Sequence, residues 1–168
     1  MTGAVWLLTG LSGAGKSTLA AALVRRLAPT PVTLLDGDAI RSRLCPDLGF
    51  SREDRLRNLS RMAFVAAEVV RHGGLVVCAA IAPYAAGRQA FREDIEAVGG
   101  RFFEIHIATP LAECERRDVK GLYARARKGE IAHFTGLDDP FEAPTQPDLR
   151  LGLGESVEDG VGRLRGLL

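Results

Sequence analysis

Short apolar runs alternate along the chain with longer stretches in which apolar residues recur every three or four positions. Residues 5–9 are apolar and end at Gly10, which predicts a buried strand. Over residues 17–27 the apolar positions are Leu19, Ala20, Leu23, Val24 and Leu27, a helical stripe closed by Pro29 and Pro31. Residues 32–35 predict a second strand, running into Asp36-Gly37-Asp38 and a brief helical stretch. Ser51-Arg52-Glu53-Asp54 has the pattern of a capping box, and Leu56, Leu59, Met62, Ala63, Ala66, Val69 and Val70 mark a long helix that Gly73-Gly74 ends. A third strand follows at 75–81 and a helix at 84–98. A fourth strand at 102–107 precedes a helix with Pro110 in its first turn, and a short fifth strand is expected at 150–153. Ser156 with Asp159 starts a terminal helix carrying Val157, Val161, Leu164 and Leu168. This alternation predicts an α/β fold, a parallel sheet with helices on both faces.

The stretch from Asp118 to Pro147 breaks the pattern. It holds charges, glycines and prolines without a sustained apolar period, and its Arg, Lys, Asp and aromatic content favours a lid over a linker. With 168 residues the chain has room for one domain, spanning 1–168, with the lid at about 118–147.

Composition narrows the functional classes. Lys plus Arg total 22 against 21 Asp plus Glu, so no broad basic field exists for nucleic acid. No apolar run approaches the ~20 residues of a membrane helix. The N-terminus shows no signal-peptide pattern, and three scattered cysteines suit a reducing compartment, so a cytoplasmic protein is expected. The basic residues are 19 Arg and only Lys16, Lys120 and Lys128, which makes each lysine worth locating.

Gly10-Leu11-Ser12-Gly13-Ala14-Gly15-Lys16-Ser17, followed by Thr18, fits G-x-x-x-x-G-K-[ST] between a predicted strand and helix. Such a P-loop wraps backbone amides around a polyphosphate, brings Lys16 to the β- and γ-oxygens, and offers the Ser17 hydroxyl to Mg²⁺. The expected cofactors are therefore ATP and Mg²⁺. Asp38, beyond the second strand, reads either as a helix N-cap or as the group that meets an acceptor hydroxyl. Arg55, Asn58 and Arg61 share a helix face that is either solvated or suited to an anionic substrate. Phe50 and Phe134, among polar neighbours, either pack a loop or stack on a base.

With these residues the sequence resembles the adenylyl-sulfate kinase family. The resemblance covers nearly the whole chain. It is carried by the P-loop, Leu35-Asp36-Gly37-Asp38 with Arg41, Leu48-Gly49-Phe50-Ser51 with Asp54-Arg55 and Asn58, Pro83-Tyr84, Cys114-Glu115 with Arg117-Asp118, Lys120-Gly121-Leu122-Tyr123, and Phe134-Thr135-Gly136. It implies transfer of the ATP γ-phosphate to the 3′-hydroxyl of adenosine 5′-phosphosulfate, with Asp38 at that hydroxyl. Arg41 and Arg55 would lie near the phosphosulfate, with Asn58 in the same site. Phe50 and Phe134 would flank the adenine, Ile81, Ala82 and Lys120 would line the site, and Arg117 would lie near the ATP base. A homodimer, frequent in the family, and an association with ATP sulfurylase are the partners it raises. Two other readings stay open: a kinase for another small metabolite, and a silent nucleotide-binding regulatory module. Three positions depart from the family pattern: Ala82 for a serine phosphorylated in some members, Ser60 for an Arg, and Ala108 for an Asp.

Overall fold

The structure, a computed structural model, describes residues 2–168. Five parallel strands form one sheet in the order β2-β3-β1-β4-β5: β1 (Ala4–Thr9), β2 (Val32–Asp36), β3 (Leu75–Ala79), β4 (Arg101–Ile107) and β5 (Leu149–Leu151). Seven helices connect and cover them: α1 (Lys16–Leu27), α2 (Gly37–Arg43), α3 (Arg52–Arg71), α4 (Ala85–Ala97), α5 (Leu111–Arg117), α6 (Leu122–Arg127) and α7 (Val157–Arg165). The central strand β1 is buried along its whole length, because helices cover both faces of the sheet.

Two apolar cores result. On one face Trp6, Leu8, Leu19, Leu23, Ile105, Val161 and Leu164 pack together; on the other Val5, Leu7, Met62, Ala66, Val76, Phe91 and Ile95 do so. The opposite faces of β1 alternate between them, as a period of two requires. Trp6 Nε1 donates to the Leu164 carbonyl at 3.1 Å, fixing α7 to the central strand. Ser51 caps α3 by accepting from the Asp54 amide. The Asp54 carboxylate, instead of completing a reciprocal box, accepts from the Gly49 amide at 2.9 Å and so shapes the turn before the helix.

The structure differs from the expected elements at several points. The third strand leaves the ladder at Ala79 instead of 81, and residues 80–84 run across the carboxyl ends of the strands. Pro110 is the N-cap of α5 rather than a residue within its first turn. The terminal helix buries Val161 and Leu164 and exposes Val157, and it ends at Arg165, which leaves the exposed Leu168 beyond it. The segment between α5 and β5 contains the two-turn helix α6, too short for a periodicity to register, and buries Tyr123, Phe134 and Thr135.

Because Leu164 is fully buried and is the residue through which α7 meets the core, Leu164→Ala is expected to cost about 2–5 kcal/mol in urea unfolding. A loss below about 0.5 kcal/mol would mean that α7 is not part of the cooperative unit.

Candidate active site

The turn from β1 into α1 needs two glycines for different reasons. At Gly10 a Cβ would stand 2.5 Å from the Ile107 carbonyl oxygen, so only glycine lets the loop leave between β1 and β4. Gly15, the N-cap of α1, has φ of 107°, a conformation costly for residues with a Cβ. No side chain caps α1, which leaves its first amides and the positive end of its dipole facing the loop.

Lys16 lies inside this turn, its Nζ donating to the carbonyls of Gly10 at 2.9 Å and Leu11 at 2.7 Å. Desolvation disfavours its charged form and, with Lys120 adding to it and Cys114, Asp38 and Asp36 opposing, its pKa is lowered to about 8. Ser17 Oγ donates to Asp36 Oδ2 at 2.6 Å, and Asp36 Oδ1 accepts from the Asp38 amide. Asp36 is therefore the N-cap of α2. This removes the capping alternative for Asp38, whose carboxylate instead pairs with Lys120.

A cavity of about 890 Å³ opens beside the loop at the carboxyl ends of β2 and β3. It is lined by Ser12, Gly13, Gly15, Lys16, Ser17 and Thr18 from the loop, and by Asp38, Arg41, Phe50, Arg55, Asn58, Ile81, Ala82, Arg117, Lys120 and Phe134. Gly10 and Ala14 are not on its wall. Gly10 serves through its carbonyl to Lys16, and the Ala14 carbonyl accepts from Thr109 Oγ1 at 2.8 Å.

Arg41 and Arg55 converge on Phe50, their guanidinium carbons 4.6 and 5.4 Å from its ring centroid. Both have lowered pKa values, first through burial; for Arg41 the proximity of Arg55 adds to it. Two cations held together and partly dehydrated form an anion site. Phe50 is 54% exposed and Phe134 only 8%, the latter edge-on to Tyr123 at 4.8 Å. Phe50 is thus half exposed beside the two guanidiniums, whereas Phe134 also holds the segment to the core. Asn58 Oδ1 and Thr135 Oγ1 are buried without partners, and both residues line the cavity. Arg61 turns away from Asn58 and forks onto Asp47 at 2.6 and 2.7 Å, outside the lining. Ser60 is exposed and Ala108 donates its amide to Leu151 in a strand-like bond, so neither departure touches the cavity; Ala82 does.

A second recess of about 230 Å³ shares Gly15, Thr18 and Arg117 with the first and extends along the loop after β5, past Gly152 and Leu153. Sequence reading overlooked this loop, since its glycines resemble any strand-to-helix turn. Among the described residues no group of three His, Cys, Asp or Glu side chains is placed to hold a metal alone. Mg²⁺ does not need one, as it keeps several waters and leans on substrate phosphates. Ser17 beside Asp36 fits that mode.

A parallel sheet with a phosphate loop at its carboxyl edge, flanked by two adjoining recesses, defines a P-loop phosphotransferase. The adenylylsulphate kinase family profile matches residues 2–152, and the chain belongs to that family. An adenylyl-sulfate kinase of Paraburkholderia xenovorans is 53% identical over 165 residues, 96% of this chain and 90% of that protein. A sulfate adenylyltransferase of Emericella nidulans is 50% identical over 84% of this chain, which spans 25% of that longer protein. The APS kinase CysC of Mycobacterium tuberculosis, solved in complex with AMPPNP and APS, superposes with a TM-score of 0.96 at 45% identity, covering 99% of this chain and 97% of that one.

A phosphate oxyanion at Nζ raises the Lys16 pKa again, so nucleotide binding takes up a proton above about 8. Calorimetry at about pH 9 in buffers of different ionisation enthalpy should show net uptake, lost in Lys16→Met; its absence in the native chain would contradict the burial of this charge. The same shift has a sign for stability. Between about 8 and 10.5 the unfolded chain binds the extra proton, so this site's contribution to stability rises with pH across that window.

Proposed function

We propose that the chain transfers the γ-phosphate of ATP to the 3′-hydroxyl of adenosine 5′-phosphosulfate, giving 3′-phosphoadenosine 5′-phosphosulfate and ADP. One observation carries the reading: a single cavity joins the phosphate loop, the Asp38 carboxylate and the Arg41–Phe50–Arg55 cluster. Family membership supports the choice of acceptor, as does the close likeness to a kinase solved with AMPPNP and APS.

In this reading the ATP phosphates lie over the loop amides and Lys16. The ATP base occupies the smaller recess, with Arg117 at the boundary between the two. The acceptor occupies the larger cavity. Arg41 and Arg55 take its phosphosulfate, its adenine lies against Phe50 and towards Phe134, and Asn58, Ile81, Ala82 and Lys120 complete the walls. Ser17 and Asp36 would hold Mg²⁺, which when bound neutralises charge on the β- and γ-oxygens.

Asp38 accepts the hydrogen bond of the 3′-hydroxyl and its proton as the oxygen approaches phosphorus. The new O3′–P bond forms as the bond from γ-phosphorus to the bridging oxygen breaks, and ADP carries the electron pair away. Such a transition state asks for placement and charge neutralisation more than for covalent help. Residues 118–147 act as the lid that brings Lys120 and Phe134 over the acceptor. The three cysteines are free and buried, and no helix among the described residues is long and apolar enough to cross a membrane; both support a cytoplasmic setting. The likeness to part of a sulfate adenylyltransferase supports a place directly after the reaction that makes adenylyl-sulfate.

The test is ADP release from ATP on addition of adenylyl-sulfate, with chelation of Mg²⁺ expected to stop it. Preference for a sugar acid or another nucleotide would reject the acceptor, and tight binding without turnover would favour a silent module. Phe50→Ala is expected to raise KM for adenylyl-sulfate about 5- to 150-fold, the equivalent of about 1–3 kcal/mol of stacking, and to spare KM for ATP. Equal losses for both nucleotides would make Phe50 a packing residue only.

A further inference from the structure

The wall of the acceptor cavity contains a conformation that the sequence disfavours. Ala82 has φ of +45° and stands directly before Pro83, where a residue is driven towards extended backbone. Left-handed geometry at a buried residue with a Cβ persists only where its surroundings over-determine it. The surroundings here are few. The Ile81 carbonyl accepts from Thr9 Oγ1 at 2.5 Å and from the Gly10 amide at 3.4 Å, and the Ala82 carbonyl accepts from Thr9 Oγ1 at 3.3 Å and from Arg88 Nη1 at 2.8 Å.

Arg88, on α4, is 3% exposed and lines neither recess. Its Nε pairs with Glu104 on β4, and its Nη2 donates to the Glu142 carbonyl at 2.8 Å. Glu142 belongs to the returning arm of the lid. Its amide donates to the Pro83 carbonyl at 2.8 Å, and its carboxylate accepts from the Ala85 amide at 2.7 Å. One buried guanidinium therefore ties three things together: the sheet, the strained wall at Ala82, and the foot of the lid.

We propose that Arg88 is a positioning residue for the acceptor. It fixes the gap between the Ile81–Ala82 wall and the lid without touching either nucleotide, and Glu104 orients it. The inference rests on the acceptor assignment above and adds the device that holds that site in register. The guanidinium is suited to the task because a planar fork can serve three acceptors in fixed directions, which an ammonium cannot. The donor side depends on the P-loop and the loop after β5, neither of which Arg88 contacts directly, so the larger effect falls on the acceptor.

Removing Arg88 alone would leave the partly buried Glu104 carboxylate without its partner, so the deciding variant is Arg88→Met with Glu104→Met, which removes both charges with little change in volume. Steady-state kinetics with each substrate varied in turn, alongside thermal melts, separate the outcomes. The double variant is expected to melt within a few degrees of the native chain, with kcat/KM for adenylyl-sulfate down about 10- to 100-fold and KM for ATP within about twofold. Unchanged kinetics in the folded double variant, or equal losses for both substrates, would overturn the role. If the double variant does not fold, Arg88→Lys decides, since it keeps the buried charge and loses the fork. A loss confined to adenylyl-sulfate supports the proposal, and no such split overturns it. A native chain inactive on adenylyl-sulfate would instead refute the assignment of the acceptor itself.

Discussion

A single half-buried lysine sets the terms for this molecule. Lys16 is partly dehydrated, and in exchange it has two carbonyls of its own loop, which cannot neutralise it. Keeping a cation there requires a loop that wraps closely, and hence glycine at the point where β1 passes the Ile107 carbonyl. The loop can sit there only because β1 is the middle strand, with β3 on one side and β4 on the other. That order divides the space at the carboxyl edge in two. Asp36, Asp38 and residues 80–83 fall on the side of β2 and β3, while α5 and the loop after β5 fall on the other. The two recesses, proposed for donor and acceptor, follow from strand order, and the unneutralised lysine lies beside them.

The proposed lid, residues 118–147, is held by unequal attachments. Its body is anchored by apolar burial and well-directed polar bonds. Tyr123 and Phe134 pack edge to face, and the Tyr123 hydroxyl donates to the Ser12 carbonyl at 2.8 Å. Asp118 accepts from the amides of Tyr123 and Ala124, and Asp138 from those of His133 and Phe134. Across the cavity mouth, in contrast, Lys120 meets Asp38 with both side chains more than half exposed. Solvent weakens such a pair, so this contact can exchange for substrate at small cost. Strong roots and a weak clasp suit a segment that must admit a nucleotide and then cover it.

Much of this was legible in the residues. The P-loop predicted its own geometry because glycines, Lys16 and Ser17 occur at a spacing that a plain turn has no reason to keep. Strands and long helices announced themselves through period, since a buried parallel strand is apolar throughout and an amphipathic helix is striped. Bare spacing could not rank neighbours that differ only in direction. Asp36 and Asp38 compete for one cap, and the winner depends on the Ser17 hydroxyl, nineteen positions away in sequence. Arg61 shares a helix face with Asn58 and still leaves the site, drawn off by Asp47. Arg88 carried no signal at all, because its three partners come from β4, the cavity wall and the lid, contacts that only the folded chain creates.

The central claim is that two nucleotides meet across Lys16 and Asp38, and a crystal grown with a non-hydrolysable ATP analogue and adenylyl-sulfate tests it most directly. The account predicts both ligands at once, the γ-phosphate at Lys16 and the 3′-oxygen at Asp38, with that oxygen within about 3.5 Å of phosphorus and in line with the leaving group. Adenylyl-sulfate bound with its 3′-oxygen away from Asp38, or the two ligands excluding one another, would contradict it.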